Sequence, residues 1–299
     1  MRGAAWPLFV LVTLSPGPSY SQSTEDTFDL RAAPHGLVAG GLWLTALTID
    51  SKKEDWSGVS PCRGETRAPL PEEQHAQEDS VESGVTGTFG LCDPGRINAV
   101  DRTLVVPKWN KAARLSDLLL LSFLIAPFGY AGGTAFELEE GGGQRFADDS
   151  VVALQTLGAT VLATTVTKLI IRRPRPLTYD AEFTLDERFE GDARLSFPSG
   201  HTSVAFAGAS FLAVLIDDRV QSNGPRIGGI AGAYAAATLV AYLRMAARRH
   251  FFTDVVAGAA LGTTLGWLIP QAHRASGRGA DAETPTVSSP LMLGWTGVF

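Results

Sequence analysis

The chain has 299 residues, 45% of them apolar, and a formal net charge of −6. Its isoelectric point near 5.4 leaves no overall basic excess with which to neutralise a phosphate backbone, so no nucleic-acid partner is expected. Only two cysteines occur, Cys62 and Cys92. Without an accompanying histidine pattern they do not make a zinc site, and no metal is expected.

In chain order, Arg2, the apolar stretch Ala4 to Leu14 and the small residues up to Ser21 read as a secretory signal peptide over residues 1–21. Export would make a disulfide between Cys62 and Cys92 reasonable, because oxidising compartments keep such bonds. Runs without charge then recur at Ala32–Ile49, Leu118–Phe136, Ser150–Thr167, Thr202–Ile216, Ile227–Leu243 and Val255–Ala272. They predict an all-α helical bundle of five to six membrane-embedded helices, although each run is somewhat short of the roughly 20 residues a spanning helix needs. Gly, Ala, Ser and Thr are frequent in them, which suits close packing in lipid and a water-soluble bundle alike. The first run, interrupted by Pro34 and His35, is the one least suited to span.

Between the first two runs lies a long polar loop, charged and poor in large apolar residues through Glu82. The organisation expected is therefore an N-terminal segment over 22–116, a helical core over 117–272 and a short C-terminal tail over 273–299. Leu291, Leu293, Trp295, Gly297 and Phe299 alternate there like one short strand.

Three clusters carry the chemistry. Lys168 precedes Arg175 and Pro176 by two helical turns, which would set both cations on one side of a helix that Pro174 and Pro176 end near Arg172. Pro198, Ser199, Gly200 and His201 lead straight into an apolar helix, whose unpaired first-turn amides form a cradle for anionic oxygens. Arg244 is followed by His250 and Asp254, the last two being four apart. On a helix they would share a face, and Asp254 would fix the proton on one imidazole nitrogen while leaving the other unprotonated.

In order and content these clusters resemble the phosphatidic acid phosphatase type 2 superfamily, which shares its site with bacterial class A acid phosphatases and vanadium haloperoxidases. The resemblance covers roughly Ser150 to Pro270, and one departure is Leu243, where the family usually has serine. It implies a metal-independent phosphatase acting on phosphate monoesters, with His250 as nucleophile, His201 as general acid and Asp254 behind His250. Lys168, Arg175, Arg244, Ser199 and Gly200 would hold the phosphoryl group. A phosphohistidine would form and be hydrolysed by water that His201 deprotonates. No cofactor is implied, and vanadate, which mimics the transition state, is expected as inhibitor, or as cofactor should the chain be a haloperoxidase.

Embedded helices favour a lipid or isoprenoid phosphate as substrate and the cell membrane as location. The signal-like start places the site on the periplasmic or external side. A soluble exported acid phosphatase and a non-catalytic lipid-phosphate binder are the alternatives. The intact His201, His250 and Asp254 speak against the last, since binding alone needs only the cations.

Overall fold

A computed structural model describes residues 34–57, 91–138 and 140–281. The expected signal peptide, the polar loop from residue 58 to 90 with Cys62, and the alternating tail lie outside the described residues. Six long helices form the body: α1 (Pro34–Ser57), α3 (Ala112–Ala135), α4 (Gly142–Ile171), α6 (Gly200–Arg219), α7 (Asn223–Ala246) and α8 (Phe252–Asp281). Two short ones, α2 (Ala99–Thr103) and α5 (Leu185–Phe189), belong to the connections. No strand occurs among the described residues.

Helices α3, α4, α6, α7 and α8 are long and apolar enough to cross a bilayer. The α1 helix, which continues eight residues past the apolar run ending at Ile49, is not among them. It packs along α4 instead. Trp43 of α1 donates its indole proton to the Leu154 carbonyl at 2.9 Å.

The central helix is α6, which touches α3, α4, α7 and α8 and is buried along most of its length. Phe211 and Leu215 of α6 pack with Val152 and Ala153 of α4 and Ala131 of α3. On the other side Ala205 and Ala209 meet Phe123 of α3 and Ala237 and Val240 of α7. Lipid tails are as apolar as these side chains, so close van der Waals fit rather than exclusion of water must hold such helices together.

The tightest fit is between α6 and α8. Gly258, Gly262 and Gly266 recur every fourth residue on one α8 face, where a Cβ would lie 2.7 Å from the Ser199 carbonyl oxygen, 2.1 Å from that of Ser203 and 2.6 Å from that of Ala207. Only glycine permits that approach. Asp254 begins the same face one turn earlier, and its carbonyl accepts the Ser199 amide at 3.0 Å. The glycine seam thereby sets the start of α6 against the start of α8.

Opposite ends of the bundle differ in chemistry. At one end Arg219, in the last turn of α6, donates two hydrogen bonds to Asp149 near the start of α4, at 2.7 and 2.6 Å, and one to Thr134 of α3 at 2.7 Å. At the other end gather the last turn of α4, the first turns of α3, α6 and α8, and the last turn of α7. Residues 172–199 cap that end. Leu177, Phe183 and Ala193 form a small core within the cap, and the capping box of Thr184 with Glu187 starts its α5 helix.

Candidate active site

The capped end brings the three sequence clusters together. As Pro174 and Pro176 predict, α4 stops at Ile171, with Arg172 in a left-handed conformation at φ 50°. Lys168 therefore lies on α4, but Arg175 does not share its helix face: it sits beyond the break in extended backbone, at φ −79° and ψ 158°. The amide of Arg175 bonds to the Ala193 carbonyl at 2.8 Å, which turns its side chain inward under the cap. Lys168 reaches the same place from α4. Its Nζ lies 3.7 Å from where a Cβ on Gly200 would stand.

Ser199 is the N-cap of α6, and its hydroxyl oxygen accepts from the Thr202 amide at 3.4 Å and the Thr202 hydroxyl at 2.9 Å. Its own amide is taken by the Asp254 carbonyl, so it does not join the expected cradle. That role passes to the first-turn amides of Gly200 and His201, which have no acceptor within the helix.

His250 lies in the turn between α7 and α8, not on α8, which begins at Phe252. The expected helical pairing with Asp254 is consequently absent, and Nδ1 of His250 stands 3.8 Å from Asp254 Oδ2. The Nδ1 proton goes to the Ser196 carbonyl at 2.7 Å. A carbonyl only accepts, so Nδ1 carries the proton and the neutral ring keeps its lone pair on Nε2.

Asp254 acts one layer further back. It accepts the Ser196 hydroxyl at 2.5 Å, the Phe251 amide at 2.7 Å and Arg173 at 2.6 Å, fixing both segments that hold the imidazole. Arg173 in turn donates to Asp101 of α2 at 2.5 Å. Asp101 also accepts the Thr253 amide at 2.9 Å, capping the start of α8.

His250 is 2% exposed. Burial first, and then the positive charges of Arg175, Arg244, Lys168 and His201, hold its imidazole well below the ordinary histidine range. Arg175 and Arg244, 3% and 6% exposed, each keep a buried Nε that bonds nothing. A buried guanidinium proton without an acceptor is costly, and an oxyanion is what relieves it. One terminal nitrogen of each arginine meets a carboxylate: Arg175 NH2 bonds to Asp192 of the cap, and Arg244 NH1 lies 3.3 Å from Asp117 Oδ1 as well as 3.2 Å from the Ser116 hydroxyl. His201, partly exposed at the rim, places Nε2 2.8 Å from the same Asp117 oxygen.

Sequence reading missed Asp101, Asp117, Asp192 and Ser196. Asp117 alone left a signal, as an acidic residue directly abutting the apolar run that starts at Leu118. Leu243, in place of the usual serine, packs with Ala112 and Ala246. Cys92 is disulfide-bonded. Its amide bonds to the Thr178 carbonyl at 3.0 Å, at the same end of the bundle as Arg175.

A cavity of about 460 Å³ adjoins His250 from the side of α2 and the cap, lined by Asp101, Tyr179, Met245, Phe251 and Phe252 among others. Lys168, Arg175 and His201 do not line it. Among the described residues no group of three or more His, Cys, Asp or Glu is arranged to hold a metal ion.

A helical bundle that gathers two histidines and three cations at one capped end is the class of molecule defined so far. Residues 150–278 match the profile of the PAP2 superfamily. A PA-phosphatase related-family protein of Dictyostelium discoideum is 32% identical over 119 residues, covering 38% of this chain and 44% of that protein. The chain thus spans less than half the length of that relative. A transmembrane PAP2 type phosphatidylglycerolphosphate phosphatase from Bacillus subtilis is similar in structure, with 20% identity, 82% of this chain and 98% of the other covered, and a TM-score of 0.41.

Proposed function

We propose that the chain is a membrane phosphatase that hydrolyses phosphate monoesters of lipid or isoprenoid carriers through a phosphohistidine on His250. The observation that carries the reading is the pair of buried, unbonded Nε protons of Arg175 and Arg244 beside a neutral imidazole whose Nε2 lone pair is available.

The phosphoryl group binds among Lys168, Arg175, Arg244, the amides of Gly200 and His201, and the Ser199 hydroxyl, whose own proton remains to donate. Fixed donors of this kind stabilise the charge spread over the equatorial oxygens of the transition state without reorganising. Nε2 of His250 attacks phosphorus in line. The ester oxygen leaves with the bonding pair and takes a proton from His201. Neutral His201 then removes a proton from water, the hydroxide displaces phosphate from His250, and both imidazoles return to their starting states. Because three cations and oriented amides neutralise the oxygens, this route requires no metal, and vanadate should inhibit it.

Five span-length helices support a lipid substrate, since acyl chains can enter between them while the headgroup meets the arginines at the membrane surface. The bonded state of Cys92 beside the cap supports an external site, because such bonds persist in oxidising compartments.

The test is phosphate release from a panel of lipid phosphates, supplied in excess chelator to intact cells expressing the chain, compared with His250→Ala. Release outside intact cells that the variant abolishes is expected. Equal rates for the two proteins would refute His250 as nucleophile, and release that appears only after permeabilisation would place the site on the inner face.

A further inference from the structure

Asp117 stands outside the segment that matches the superfamily, yet one of its oxygens bridges two groups of the site. Oδ1 lies 2.8 Å from Nε2 of His201 and 3.3 Å from NH1 of Arg244. The residue occupies the second turn of α3, one position before the apolar stretch, with its side chain 58% exposed. An aspartate at the end of a hydrophobic helix, at the mouth of a site that must attract an anion, opposes substrate binding by simple charge. Its place therefore calls for a compensating role.

We propose that Asp117 is a positioning residue for the general acid: it keeps a proton on Nε2 of His201 and aims that nitrogen at the leaving-group oxygen. The proposal rests on the function given above. A carboxylate accepts and does not donate, so the nitrogen facing it must bear hydrogen. The other groups facing His201 are the cationic Arg244 and Lys168 and the titratable His250. Asp117 supplies the opposing charge. When substrate binds, the ester oxygen takes the place of Oδ1 on Nε2. The exposed Asp117 side chain turns toward water, and the Nε2 proton passes to the oxygen as its bond to phosphorus breaks. The carboxylate then receives the Nε2–H bond again once His201 has drawn a proton from water.

The experiment uses kcat/KM, which reports only the steps up to formation of the phosphoenzyme. It compares a short-chain alkyl phosphate, whose leaving group needs a proton, with para-nitrophenyl phosphate, whose leaving group departs without one. For Asp117→Asn the basic limb of the alkyl phosphate profile should move down by about one pH unit. In the range where that acid form is lost, the rate should fall about tenfold. The para-nitrophenyl ester should stay within about threefold of the wild type, and Asp117→Glu should restore the limb.

An unmoved limb, or an equal fall for both substrates, overturns the proposal, since misplaced Arg244 alone would weaken both. Faster turnover with tighter inhibition by inorganic phosphate overturns it as well, and would make Asp117 a competitor of the substrate. His201→Ala separates the two levels. Alkyl phosphate hydrolysis that survives in this variant removes the general acid and the inference with it. Its loss, alongside wild-type behaviour of Asp117→Asn, sinks the inference alone.

Discussion

His250 shows how a single side chain is prepared by its surroundings. The Ser196 carbonyl settles which nitrogen holds the proton, and burial among cations keeps the other from acquiring one. The sign of the pH effect follows. The folded imidazole binds its second proton well below the ordinary value of 6.5, so Nε2 remains a nucleophile as the pH falls through that value. The acid limb of kcat/KM should lie clearly below pH 6.5, the ordinary value, and the profile should be bell-shaped because His201 must be protonated at the start. A limb centred at 6.5 or above would mean that the surrounding cations do not act on His250. Stability obeys the same linkage. Below 6.5 the unfolded chain takes up a proton here that the folded chain refuses, so this contribution is present at higher pH and lost as the pH drops toward the folded value.

Asp254 was legible in the sequence as a partner for His250 but not in its manner of acting. Four-residue spacing implies direct pairing only when both residues lie on one helix, and α8 begins two residues too late for that. The side chain instead clamps Ser196 and the 251 amide. No spacing rule reveals a backbone carbonyl as the histidine's partner, because that depends on where two turns of chain are brought together.

Among the elements, the α6 and α8 pair fixes the geometry of the site. The seam of Gly258, Gly262 and Gly266 lets α8 lie against the α6 backbone, and one turn further on the same contact joins Asp254 to Ser199. Gly262→Val places its Cβ 2.1 Å from a carbonyl oxygen of α6, which cannot yield without moving the helix. Overpacking of this kind costs about 1–3 kcal/mol or more. The variant should lose thermal stability in detergent and most of its phosphatase activity together, whereas wild-type activity and melting would show that the seam does not set the site. The break after α4 was read correctly from Pro174 and Pro176, yet the same break carries Arg175 off the helix face assigned to it. Helical periodicity holds only as far as the helix does.

For the whole molecule, alternation of up and down helices carries the three clusters to one end, and this much followed from the order of apolar runs and polar motifs. The buried Arg219 and Asp149 pair ties the opposite end, and the cap of residues 172–199 closes the site end. What the sequence hid is the contribution from chain before residue 150. Asp101 and Asp117 lie 67 and 51 residues before Lys168, in segments without a recognisable motif. Their roles arise only because α2 and α3 are packed against the site. The α1 helix, too, extends through residues that read as polar loop, held along α4 by Trp43.

The central claim is that a tetrahedral phosphoryl group passes onto His250 within this pocket, and rapid-quench trapping with a radiolabelled lipid phosphate tests it most directly. The label should appear on the protein as an acid-labile, alkali-stable adduct, mapped to His250 and absent from His250→Ala. Turnover with no trapped adduct, or an adduct that persists in the variant, would contradict the account.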